Sequence, residues 1–185
     1  SIVGFGGGSV IDTAKALIYA ISLKEKNLNL DKILDSNKIL NLTKSKELIA
    51  IPTTFGTGSE VTPFSTLWNF KTKKKYSIVN DIIYPNIAII DGSLGINMPN
   101  PILISTGLDA INQAMESLWN KNANPLTINY SINAIHLGIN CLPKLLKNKS
   151  DINLWEKMSQ CSLMAGIAIS QTRTALCHSI SYPIT

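Results

Sequence analysis

The 185-residue chain contains a single arginine, Arg173, and two histidines, His136 and His178. Its three cysteines, Cys141, Cys161 and Cys177, are odd in number and too widely spaced for a CxxC metal or redox motif, so they read as reduced thiols. Long hydrophobic runs are also missing. IIYPNIAII (82–90) is interrupted by Pro and Asn and falls well short of the ~20 residues a membrane-spanning helix needs, which excludes one. SIVGFGGGSVIDTAKAL at the start has glycines where a signal peptide would carry a cationic leader and an apolar segment, and a cytoplasmic setting is the expectation. The dinucleotide fingerprint GxGxxG and the P-loop GxxxxGK(S/T) are both absent. The formal charge of +5 comes from lysine, with the densest run at KTKKK (71–75). No aromatic residues are interleaved with it, so it reads as a solvated loop rather than a nucleic-acid surface. A mild positive field favours small anionic molecules instead.

What is present falls into two halves. SIVGF reads as a short buried strand, GGGS as a turn and VIDTAKALIYAIS as a helix. Residues 24–46 read as a short helix plus loop. ELIAIPTT reads as a second strand running into FGTGSEVTPFSTLWN, KKKYSIVNDIIYP as an edge hairpin or strand, and NIAIIDGSL as another buried strand. From Met98 the pattern becomes helical: Asn100 and Pro101 read as an N-cap and first helical residue, NANP (122–125) separates two helices, and SINAIHLGINCLPKLL and NLWEKMSQCSLMAGIAIS read as further helices. The fold class expected is therefore α/β. It comprises a partial Rossmann-like nucleotide-binding domain over 1–98 and a partial all-helical, metal-binding domain over 99–185. A first residue that is not Met and an ending on YPIT give the expectation of an excerpt from a longer protein.

Three stretches carry chemistry. GFGGGSVIDTAK places glycines and Ser9 between a strand and a helix, where backbone N–H groups and the helix dipole suit a pyrophosphate. A tight turn needing positive φ would look the same, and Lys15 reads as a surface lysine. IPTTFGTGSEVTPF repeats the strand-to-turn arrangement with Thr53, Thr54, Thr57 and Ser59, and ligands of open α/β sheets lie at that edge. In STGLDAINQAMES, Leu108, Ile111, Met115 and Leu118 form an apolar stripe, with Asp109, Gln113 and Glu116 on a neighbouring line. That line reads as a solvated face, or, for Asp109 and Gln113 one turn apart, as two ligands of one metal centre. His136, amid apolar residues, reads as a hydrogen-bonded core histidine. His178 is the better ligand, and Asp109, Gln113 and His178 would leave a catalytic metal short of its usual set.

Taken together, GGGSVIDTAK, PTTFGTGSEVT, STGLDAINQAME and ALCHSISYP resemble the iron-containing (group III) alcohol dehydrogenase family. WNKNANP and ISQTRTA narrow the resemblance to its phosphonoacetaldehyde reductase branch. The resemblance implies a dehydroquinate synthase-like architecture and NAD or NADP with a divalent metal, iron or zinc. It further implies a homo-oligomer acting on a small anionic aldehyde, with neither nucleic acid nor membrane as partner. By the same resemblance, Gly7, Gly8 and Ser9 carry the pyrophosphate, while Thr53, Thr54, Thr57 and Lys75 hold the rest of the dinucleotide. Asp109 and His178 match metal ligands of the family. Gln113 stands where the family has a histidine, Tyr182 stands where it has another, and its last ligand would fall about fourteen residues past His178. Arg173, five residues before His178, suits bidentate recognition of a phosphonate. Glycerol dehydrogenase-like polyol oxidation and a non-catalytic nucleotide-binding fragment remain alternative readings.

Overall fold

The computed structural model describes residues 1–28, 33–34, 40–44, 46–69 and 74–181. Parts of the expected helix and loop of 24–46, the lysines at 71 and 73, and Tyr182 lie outside the described residues. Strand β1 (Ile2–Gly6) leads through Gly7 into helix α1 (Gly8–Glu25), and β2 (Leu48–Pro52) pairs in parallel between β1 and β5 (Ile87–Ala88). Between β2 and β5 runs an antiparallel hairpin, β3 (Phe64–Asn69) and β4 (Lys74–Val79). Helices α2 (Asn100–Leu118), α3 (Pro125–Lys147), α4 (Ile152–Thr172) and the short α5 (Leu176–Ser181) follow. The architecture is α/β: a parallel sheet with a crossover helix, followed by a helical bundle.

Local chemistry explains most boundaries. Gly7 caps α1 with an extended backbone, its carbonyl accepting from Val10 and Ile11. The helix ends in a Schellman arrangement, with Asn27 at positive φ and the N–H of Leu28 reaching back to the Leu23 carbonyl. At NANP, Asn124 accepts from the N–H groups of Leu126 and Thr127 while the Thr127 hydroxyl accepts from the Asn124 N–H, a reciprocal capping box ahead of Pro125. The expected cap at Asn100 moves by one residue: Pro99 is the N-cap and Asn100 already helical.

Burial corrects four expectations. SIVGF packs by one face only, because Gly4 sits on α1 while Val3 and Phe5 are exposed. NIAII contributes a two-residue strand whose Ile87 is 51% exposed, since no described element covers that side of the sheet. His136 lies on the outer face of α3 rather than in the core. Lys15 is fully buried. It lies four residues after Ile11 and three before Ile18, on the inward line of α1.

The largest core lies among the helices, around Trp155, Leu103, Ala110, Ala114, Leu145, Met158 and Ala165. The Trp155 indole N–H donates to the Lys149 carbonyl at 2.7 Å, so its one polar atom is satisfied. Phe55, from the turn after β2, inserts into this core, its ring centroid 6.2 Å from that of Trp155. Truncating such a side chain typically costs roughly 3–5 kcal/mol. Beside it, Gly58 takes φ 60° and packs so closely on Gly166 that an added Cβ would lie 2.4 Å from the Gly166 Cα. Only glycine at both positions permits that approach. The turn thus joins the sheet region to the bundle.

Candidate functional site

Two residues of GGGSVIDTAK hold the second turn against the first. The Asp12 carboxylate accepts from the Ser59 hydroxyl at 2.6 Å and from the Thr66 N–H at 2.8 Å. The Lys15 ammonium donates to the Ser59 hydroxyl, the Thr62 hydroxyl and the Phe64 carbonyl at 2.7–3.1 Å. Burial pushes the Lys15 amine down to about 8, against the opposing pull of Asp12 and Glu60. Burial likewise raises the Asp12 carboxyl, against Lys15 and its hydrogen bonds. This staple aligns the hairpin and both turns along one wall. The turns themselves touch: a Cβ at Gly7 would meet the Thr54 hydroxyl at 3.1 Å, and one at Gly8 the Thr57 side chain at 2.8 Å.

The opposite wall is helical. Along α2 the polar line faces inward, with Glu116 fully buried and Gln113 nearly so, whereas Leu108 and Met115 of the expected apolar stripe are exposed. The core face of α2 is instead made of small residues, Gly107, Ala110, Ala114 and Ser117. Gln113 donates from Nε2 to Asp109 Oδ2 at 3.1 Å, and its buried Oε1 has no hydrogen-bond partner. The short helix α5 brings in His178, with Nε2 3.6 Å from Asp109 Oδ1 and Nδ1 2.5 Å from Glu116 Oε2. Glu116 also accepts from the N–H groups of Ala175 and His178, so both of its oxygens are engaged. Asp109 first, and Glu116 with it, raise the His178 imidazole above its ordinary value against the effect of burial. Burial works to raise the Glu116 carboxyl, but the N–H groups of Ala175 and His178 and the imidazole outweigh it, and the group sits below the usual carboxylate value.

Between the walls lies a cavity of about 370 Å³. Gly8, Ser9, Thr57 and Lys75 line it from the sheet side, and Asp109, Gln113, Arg173 and His178 from the helical side. Gly7, Thr53 and Thr54 do not line it. Gly7 and Thr54 shape the turns behind it, and the Thr53 N–H donates to the Gly6 carbonyl at 2.9 Å. Lys75 lies within β4 rather than in a loop, its ammonium 5.3 Å from the centroid of the Trp68 ring. Among the described residues no three His, Cys, Asp or Glu side chains converge as a metal set. One carboxylate and one imidazole come together there, with the Gln113 amide beside the carboxylate. Carboxylate and imidazole are hard or borderline donors suited to a divalent cation, and the buried Gln113 Oε1 is left without a partner; turning the amide end for end would bring that oxygen to the side of Asp109, where such a cation would satisfy it.

Sequence reasoning gave no role to Asp12, Glu116 or Thr66. Asp12 and Lys15 could have been found from α1's inward line. The contact between Glu116 and His178 spans 62 residues and carries no local signal.

Comparisons with known proteins match the chain in two successive stretches. A family model described as "Iron-containing alcohol dehydrogenase" matches residues 1–92, and one described as "Fe-containing alcohol dehydrogenase family, C-terminal" matches residues 103–185. The NAD-dependent methanol dehydrogenase of Bacillus methanolicus is 35% identical over 185 residues, covering 100% of this chain and 47% of the relative. The NADPH-dependent butanol dehydrogenase of Clostridium saccharobutylicum is 34% identical, covering 98% of this chain and 46% of the relative. The crystal structure of sulfoacetaldehyde reductase from Bifidobacterium kashiwanohense in complex with NAD+ superposes with a TM-score of 0.90 at 35% identity, over 99% of this chain and 48% of that one. The chain spans about half the length of the curated relatives it matches. With both family models matched in order, and with the two turns and the Asp109–His178 pair facing one cavity, the chain belongs to the iron-containing alcohol dehydrogenase family.

Proposed function

We propose that the protein is a metal-dependent NAD(P)H aldehyde reductase acting on a small anionic aldehyde, specifically reducing phosphonoacetaldehyde to 2-hydroxyethylphosphonate. The observation that carries this reading is the shared cavity: a glycine turn at a helix N-terminus faces Asp109 and His178, with the chain's single arginine on the same wall. The structural neighbour named as a sulfoacetaldehyde reductase supports an anionic substituent beside the aldehyde. A cytoplasmic, homo-oligomeric enzyme is part of the proposal. No described helix is long and apolar enough to cross a membrane.

Asp109, His178 and Gln113 would hold the metal. When bound, a divalent cation supplies Lewis acidity at the carbonyl oxygen, and the nicotinamide supplies the hydride. The chain's own residues bind and orient. Gly8 and Ser9, at the start of α1, offer N–H groups and a hydroxyl to the pyrophosphate, with Thr57 and Lys75 beside them. Glu116 faces Nδ1 of His178, which keeps the proton on that nitrogen and leaves the Nε2 lone pair, on the side of Asp109 and the cavity, to ligate the metal. The Arg173 guanidinium is a bidentate partner for a phosphonate.

The test is NADH and NADPH oxidation by the metal-loaded enzyme with phosphonoacetaldehyde and with propionaldehyde. The expected result is a kcat/KM at least about tenfold higher for the phosphonate, a preference of about 1.4 kcal/mol. Activity is expected to be lost on chelation and restored by Fe2+ or Zn2+. Tight dinucleotide binding without metal uptake or turnover would sink the proposal.

A further inference from the structure

The segment carrying Arg173 and His178 hangs from the end of α2 and the loop after it. Asn124 Nδ2 donates to Gln171 Oε1 at 3.2 Å, Asn122 Nδ2 to the Thr172 carbonyl at 3.4 Å and Asn120 Nδ2 to the Arg173 carbonyl at 3.3 Å. Continuing in the same direction, Glu116 accepts from the N–H groups of Ala175 and His178. Residues 124 to 116 thus meet residues 171 to 178 in reverse order, one side chain after another. From inside, the buried Thr172 hydroxyl donates to the Ser117 hydroxyl at 3.0 Å.

At the centre of this ladder, Arg173 takes φ 67° and ψ 173°. Asn27, the other non-glycine residue at positive φ among those described, lies at the end of α1, a place that tolerates it. Arg173 differs, because positive φ with an extended ψ is essentially a glycine conformation and persists only where the surroundings over-determine it. A residue serving merely to end α4 would be glycine or asparagine. Here the position holds the chain's sole arginine, exposed and lining the cavity, with no partner for its guanidinium among the described residues.

We propose that Asn120, backed by Asn122 and Asn124, is a positioning residue that holds the Arg173 backbone in this strained turn, aims its guanidinium at the substrate's anionic group, and so sets specificity. This rests on the anionic-aldehyde reading above. Asn120 touches no reacting atom. It acts by fixing the carbonyl of the residue that binds.

The experiment compares phosphonoacetaldehyde with propionaldehyde in wild type, Asn120→Ala, Arg173→Lys and the double variant of the holoenzyme. Asn120→Ala is expected to lower the ratio of kcat/KM values about tenfold, with the loss carried by KM for the phosphonate rather than by kcat. The double variant should lose no more than Arg173→Lys alone, because the two residues act as one device. If Arg173→Lys abolishes the preference while Asn120→Ala preserves it, the ladder has no part in specificity and the inference is overturned, although the anionic-aldehyde reading stands. If wild type shows no preference, that reading fails and takes the inference with it; if both single variants keep the preference, the reading stands but Arg173 does not set it, and the inference is overturned. Should Asn120→Ala not fold, Arg173→Gly reads the same strain: its thermal midpoint should rise by about 2 °C as the backbone relaxes. A lower midpoint would overturn the strained turn.

Discussion

The two walls of the cavity are built on different principles. The sheet-side wall is made largely of turn backbone and hydroxyls, with Gly8, Ser9 and Thr57 following strands that end at a common edge. The helical wall depends on a few ionisable or amide side chains, Asp109, Gln113, Arg173 and His178, delivered from three different elements. A wall of many similar donors spreads its binding energy, whereas a wall of few unlike donors concentrates it. The first tolerates the loss of one member and the second does not.

The sharpest way to break that comparison is Asp109→Asn. Removing the carboxylate that faces both Gln113 and His178 is expected to weaken metal binding by at least about 100-fold and to lower kcat/KM by about a thousandfold. Metal content after dialysis and steady-state kinetics check this, and a variant that retained metal would remove Asp109 from the ligand set. Next in size is the staple beneath the sheet-side wall. Because the folded Lys15 amine titrates near 8 and the unfolded one near 10.5, the unfolded chain binds the extra proton between those values, so this group makes stability rise with pH across that window. The full gap corresponds to about 3 kcal/mol. An NMR titration of the Lys15 Cε resonance should show a midpoint near 8, with chemical denaturation giving the sign; a midpoint near 10.5 would contradict the burial. The smallest effect is expected from Gly8→Ala, whose Cβ would meet the Thr57 side chain at 2.8 Å and press the two turns slightly apart. KM for the dinucleotide should rise about fivefold, with kcat within about twofold, roughly 1 kcal/mol of binding. A loss as large as that of Asp109→Asn would erase the distinction between the walls.

The same contrast decides what could be read in advance. Both turns were legible because each follows its strand directly in the chain, the first running on into a helix N-terminus, and NANP announced its capping box because cap and helix are likewise consecutive. The inward orientation of Asp109, Gln113 and Glu116 was posed as a question by their spacing, but the spacing alone favours a solvated face. The answer depends on the small residues that let α2 pack closely and on an acceptor for His178 that arrives 62 residues away. His136 misled because an apolar neighbourhood in sequence says nothing about which side of a helix is covered. Lys15 misled because a lysine is rarely buried without partners, and its three oxygens come from a turn and hairpin 44 to 49 residues downstream.

Gly58 and Gly166 press backbone on backbone, so a side chain at either position would evict the other. Any lineage that inherits this joint must keep both together, and a change at one has no compensating change at the other short of moving a whole helix. Their co-occurrence, more than the presence of either, is the mark by which divergent descendants that retain this closed geometry could be told from those that have abandoned it.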